Sequence, residues 1–170
     1  MTDEAASDGA ARGLLARMFG AATLRADVYD EVGADPGATI QAAMVVLLVS
    51  LVAGIPDYAL GWVAMVAAAV TSLLHWLLWA GIGYLIGGKL LGGTATWGAL
   101  LRTLGFARAP GVLLLLDPVV GGVGLIVQLW MLAAGVVAIR QALDLGMWGS
   151  LLTAVLGIIP YWLVLALVLH

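Results

Sequence analysis

Apolar positions follow two different patterns along this chain, and the change comes near residue 36. Upstream, Leu15, Met18, Phe19, Ala22, Ala26 and Tyr29 recur at intervals of three and four, so one helical side carries them while Arg12, Arg17, Asp27, Asp30 and Glu31 lie off it. This spacing predicts an amphipathic helix over residues 11–33. Such a helix either lies in a membrane interface, with Arg12, Arg17 and Arg25 toward anionic headgroups, or packs on the protein's own cytoplasmic face. The acidic stretch 1–10 before it is expected to be disordered. Gly33-Ala34-Asp35-Pro36 ends the helix, and Asp35 as N-cap with Pro36 behind it opens the next one.

Downstream the periodicity fades because apolar residues occupy every side. The runs are 39–55, stopped by Gly54, Pro56 and Asp57; 62–86, with no formal charge apart from a possible one on His75, stopped by Gly87-Gly88-Lys89; and 100–116, which holds Arg108 and Pro110. Two more follow, 119–139, which starts loosely at Gly121-Gly122-Val123-Gly124 and closes at Arg140, and 147–169, with a bend expected at Pro160. The fold class read from this pattern is all-α: a polytopic membrane protein whose five transmembrane helices form one domain over residues 36–170, preceded by the amphipathic interfacial helix.

Composition agrees, since 64% hydrophobic residues, 10% charged residues and a mean hydropathy of +1.12 leave a soluble domain too little polar surface. A net charge of −3 gives no field for nucleic acid. The absence of cysteine removes disulfides, thiolate metal sites and thiol nucleophiles together. An acidic start, followed by a first apolar run only near Thr39, does not match a cleaved secretory signal. Charge also sets orientation. With the N-terminus inside, five spans place Arg12, Arg17, Arg25, Lys89, Arg102 and Arg140 on the cytoplasmic side, with Arg108 entering from there, and leave Asp57 and Asp117 outside.

Candidate chemistry is sparse. Arg108, six residues inside Arg102, lies about 9 Å deeper along a helix. A guanidinium at such depth costs roughly 2.5–3.5 kcal/mol unless it snorkels or meets a polar cavity. It is therefore either part of an interfacial helix over 97–108 or a contact, with Arg102, for an anionic headgroup or solute. His75, with Thr71 and Trp79 one turn to either side, reads as a proton or ion relay or as a neutral imidazole bonded to a neighbouring helix. Gly81, Gly83 and Gly87 suggest close helix packing, Trp62, Trp97 and Trp148 suggest interface anchors, and Gln128 and Thr153 suggest a bond between the last two spans. Asp57 and Asp117 sit where they could meet on the outer side, though capping or solvation accounts for them as well. No metal-ligand spacing, catalytic triad or phosphate loop is present, so neither enzymatic activity nor a metal or cofactor is expected.

The segment Leu101-Arg102-Thr103-Leu104-Gly105-Phe106, with Pro110 four residues later, resembles the start of the third span in the Yip1 domain family, where a Gly-Tyr pair precedes a proline. Phe106 stands here in place of the Tyr. Trp130, Gly135-Val136 ahead of Arg140, Pro160 and the leading Val28-Tyr29-Asp30-Glu31-Val32 with Asp35-Pro36 are similar to the prokaryotic branch. The resemblance implies five spans, a cytoplasmic N-terminus and a bacterial inner membrane. For that branch it gives an architecture and no agreed activity; the interfacial helix, the glycine packing surfaces and the lack of catalytic groups lead us to expect a non-enzymatic protein that organises the bilayer or binds membrane proteins, itself included. The eukaryotic relatives associate with prenylated GTPases through a long N-terminal region; with about 38 residues before its first span, this chain is not expected to do so. A small transporter or channel component using Arg108 and His75 is the alternative.

Overall fold

A computed structural model describes residues 13–54 and 61–168, with side chains through residue 157 and at residue 159. The acidic stretch 1–10, Arg12, the connection with Pro56 and Asp57, and His170 lie outside the described residues. Every regular element among them is helical: α1 (Leu14–Ala22), α2 (Ala26–Ala34), α3 (Ala38–Ala53), α4 (Trp62–Gly83), α5 (Trp97–Phe106), α6 (Val123–Leu143) and α7 (Met147–Val168). A π-helical stretch, Tyr84–Leu90, prolongs α4, and a 3₁₀ helix, Ala109–Leu116, follows α5. Three stretches are long and apolar enough to cross a bilayer, namely Trp62–Leu90, Trp97–Leu116 and Val123–Leu143. Ala38–Ala53 and Met147–Gly157 are apolar but shorter.

The amphipathic segment expected as one helix over 11–33 is instead an antiparallel pair. Its turn is closed by Arg25 N–H on the Gly20 carbonyl and Leu24 N–H on that of Ala21, both 3.0 Å, with Leu24 left-handed at φ +61. That is a Schellman stop, a place where glycine is usual and leucine is strained by about 1 kcal/mol. Near the turn the pair is held by Gly20, which leaves room for Val28, and by the Tyr29 hydroxyl, which donates to the Ala21 carbonyl at 2.9 Å. The expected placement of Arg17 at headgroups is also corrected, because Arg17 is 1% exposed and points into the protein. Arg25 pairs with Asp27 at 2.7 Å.

The centre of the bundle is α5. Thr96 caps it by accepting from Ala99 N–H at 3.2 Å, so it starts at Trp97 rather than at 100. Packed against α2, α3, α4 and α6, it buries Leu100, Arg102, Thr103, Leu104, Gly105 and Phe106. Residues 97–106 are thus packed among other helices rather than lying apart from the bundle. The α-helix stops at Phe106, and the chain continues through Arg108 into the 3₁₀ turns, where Pro110 has no N–H to give an α-helical ladder.

Other boundaries shift for visible reasons. The second predicted run continues to Leu90 because Gly87 lets the π turns lie against Leu143 and Thr153, whose atoms would meet any Cβ there. The fourth begins at Val123 rather than 119: Gly122 is left-handed at φ +89, and the Asp117 carboxylate accepts from Gly124 N–H at 2.6 Å, which is a capping role. Gly81 packs against nothing and faces outward. Thr153 donates to its own Gly149 carbonyl at 2.8 Å and Gln128 is exposed, so the expected bond between the last two spans is replaced by one within α7.

Candidate functional site

The change from α-helix to 3₁₀ helix after α5 aims Arg108 across at α4. There Arg108 Nη2 lies 3.0 Å from His75 Nδ1. A guanidinium only donates, so this contact makes Nδ1 the acceptor; in this pairing the imidazole is neutral, with its proton on Nε2. His75 also stacks on Trp79 one turn further along, with ring planes 12° apart and centroids separated by 6.2 Å. Both groups are part-buried. Two of the candidate residues thus form one polar joint between α4 and the 3₁₀ segment.

Trp79 is wedged between two glycines that the sequence did not single out for this purpose. A Cβ at Gly135 of α6 would lie 2.6 Å from Cη2 of its ring, and one at Gly157 of α7 would overlap Cδ1. Its indole N–H points to the Ala154 carbonyl at 3.4 Å, while that of Trp76 donates to the Leu101 carbonyl at 2.9 Å. Through this pair α4 is tied to α5, α6 and α7. Only the packing of three helices reveals the arrangement; a spacing rule along one helix does not.

Arg102 stands apart from that joint. It is 9% exposed, and its Nε donates to the Val32 carbonyl at 3.0 Å and its Nη2 to the Gly33 carbonyl. These are last-turn carbonyls of α2, which lack helical partners and favour a cation. Arg102 therefore serves the hairpin. The motif residues beside it are structural: a Cβ on Gly105 would press into Ala42 of α3 at 2.6 Å, Phe106 is fully buried, and Pro110 sits buried at the start of the 3₁₀ helix.

Arg17 forms the second polar centre. Its guanidinium meets Glu31 at 3.0 Å, Gln41 at 2.9 Å and Asp35 at 2.8 Å, so α1, α2 and the first turn of α3 share one cation. The Arg17 guanidinium, with help from Gly37 N–H, holds the Asp35 carboxyl below its ordinary range. Burial pulls Arg17 toward neutrality, and the bonds to Asp35 and Glu31 more than offset it. Periodicity placed Arg17 off the apolar side without showing which side the protein would cover.

On the outside, Leu74, Leu78, Gly81, Ile82 and Trp97 line an open apolar groove of about 370 Å³. Among the described residues no group of three or more His, Cys, Asp or Glu side chains is placed to hold a metal. No family model, curated protein or solved structure matches the chain.

Proposed function

We propose that this chain is an integral protein of a bacterial inner membrane and a non-enzymatic scaffold of the Yip1 type, which orders the surrounding bilayer or holds other membrane proteins. In this reading it has five spans, a cytoplasmic N-terminus and an outer C-terminus. The observation that supports it best is the Arg17 centre, which locks an N-terminal helical pair onto a bundle whose outer surface is apolar. The 16 residues of α3 rise about 24 Å, so with its flanking turns it completes a span, and the 22 residues of α7 rise about 33 Å. With that orientation Lys89 and Arg140, at the ends of their apolar runs, fall on the cytoplasmic side.

Reporter fusions after residue 57 and at residue 170 test the topology, and a cytoplasmic signal at residue 170 overturns it. Cross-linking in mild detergent, followed by mass spectrometry, tests the scaffold. Capture of a reproducible membrane partner or of a self-associated form supports it; neither, together with unchanged lipid order in liposomes, overturns it.

One observation favours a second reading. The Arg108–His75 joint is a paired ionisable site inside the bundle, the kind of group that marks an ion or proton path. Liposomes that pass an anion or protons, and lose that flux with Arg108→Leu or His75→Phe, would make the protein a small transporter.

A further inference from the structure

For a helix in water, α1 is turned the wrong way round. Its one charged residue, Arg17, is 1% exposed, whereas Leu15 and Phe19 are 79% and 72% exposed. Water drives the reverse arrangement, since it withdraws apolar side chains and keeps guanidinium groups solvated. The other half of the hairpin is conventional: α2 buries Val28, Tyr29 and Val32 and turns Asp27 and Asp30 outward.

Neighbours divide the pair in the same sense. The 3₁₀ segment, with exposed Leu113, Leu115 and Leu116, is a packing surface for α1, and the Ala22 carbonyl at the end of α1 accepts from the Trp130 indole at 2.8 Å, well inside α6. α2 lies more extensively on α5 and α6 than α1 does and gives its last carbonyls to Arg102. The outer face of α1 is therefore apolar, like the exposed leucines of the 3₁₀ segment it packs on, whereas that of α2 carries Asp27 and Asp30.

We infer that α1 is sunk among the acyl chains of the bilayer, with Leu15 and Phe19 against lipid tails. The outer face of α2, with Asp30, is turned toward water instead. Lipid is the occupant because the exposed face is apolar, like the exposed leucines of the 3₁₀ segment beside it, and because Arg17 takes its acceptors from Glu31, Asp35 and Gln41, leaving no charge on that face. The inference rests on the membrane reading proposed above.

The chain contains no cysteine, so single nitroxide labels can be placed without other changes. Full-length protein carrying Leu15→Cys, Phe19→Cys, Asp30→Cys or Leu48→Cys is labelled in vesicles of phosphatidylethanolamine and phosphatidylglycerol, and collision with oxygen and with a water-soluble nickel chelate is measured. Leu48, exposed on α3, reports whether the bundle is in the bilayer at all. Labels at 15 and 19 should match 48, with a gain in oxygen collision and a loss of nickel collision, while 30 stays open to nickel. Nickel access at 15 and 19 with 48 shielded overturns the inference and leaves the membrane reading standing. Spin–spin broadening at 19 would give that face to a second copy and overturn it too, whereas nickel access at 48 overturns the membrane reading itself.

Discussion

A guanidinium shut away from solvent needs acceptors for its N–H groups, and Arg17 finds them on Glu31, Gln41 and Asp35. Replacing it with Leu strands two carboxylates. Because Glu31 and Asp35 are 27% and 34% exposed, water softens the loss, and we expect about 2 kcal/mol in detergent unfolding rather than the roughly 3–5 of a sealed pair. The same contact makes docking of the hairpin depend on pH. Asp35 has a folded pKa below its ordinary 3.8, so its contribution is complete above that value and disappears as pH falls through the folded one. Mobility of a label at residue 19 should stay constant from neutral pH to about 4 and rise below it. Arg102→Ala, which removes two bonds to α2 carbonyls, should cost about 2 kcal/mol, and Arg102→Lys should restore little because an ammonium lacks the guanidinium fork. Leu24→Gly should raise stability by about 1 kcal/mol, since glycine takes the left-handed conformation without strain.

Among the helices, α4 is tied to α5 and α7 through its two indoles and to the 3₁₀ segment through His75. Gly135→Val would drive a side chain into the Trp79 ring, and we expect a loss of about 1–3 kcal/mol in SDS titration. A smaller ring-side partner, Trp79→Leu, should recover part of it, because the two positions share one space. His75→Phe removes the acceptor for Arg108 and should cost about 2 kcal/mol, while His75→Gln retains an acceptor and should cost less. How far these elements could be read in advance differs from one to the next. The runs around His75 and Trp130 were plain, because a bilayer demands long apolar stretches whatever their packing. The turn at Leu24 was not, since a leucine there carries none of the usual signs of a helix stop. Arg108 and His75 are each singled out by depth and charge, but their meeting depends on the 3₁₀ winding that follows Phe106, where Pro110 withholds an N–H from the α-helical ladder, and on how α4 packs beside it.

Taken as one body, the described chain is organised around a buried α5, with polar joints at Arg17, Arg102 and Arg108 and apolar side chains over much of the outside. Charge distribution alone pointed to an inner and an outer end. What charge could not convey was that two of the supposed headgroup contacts, Arg17 and Arg102, are spent inside the protein, because side-chain type does not reveal which carbonyls and carboxylates a fold brings near. The wedge of Trp79 has a consequence for biosynthesis. Its slot has one wall at residue 135 and the other at residue 157, so α4 leaves the ribosome long before either exists and must wait beside the translocon with an indole uncovered. A nascent chain arrested ahead of residue 157 should therefore remain sensitive to membrane proteases, and gain resistance in a single step once the last helix emerges.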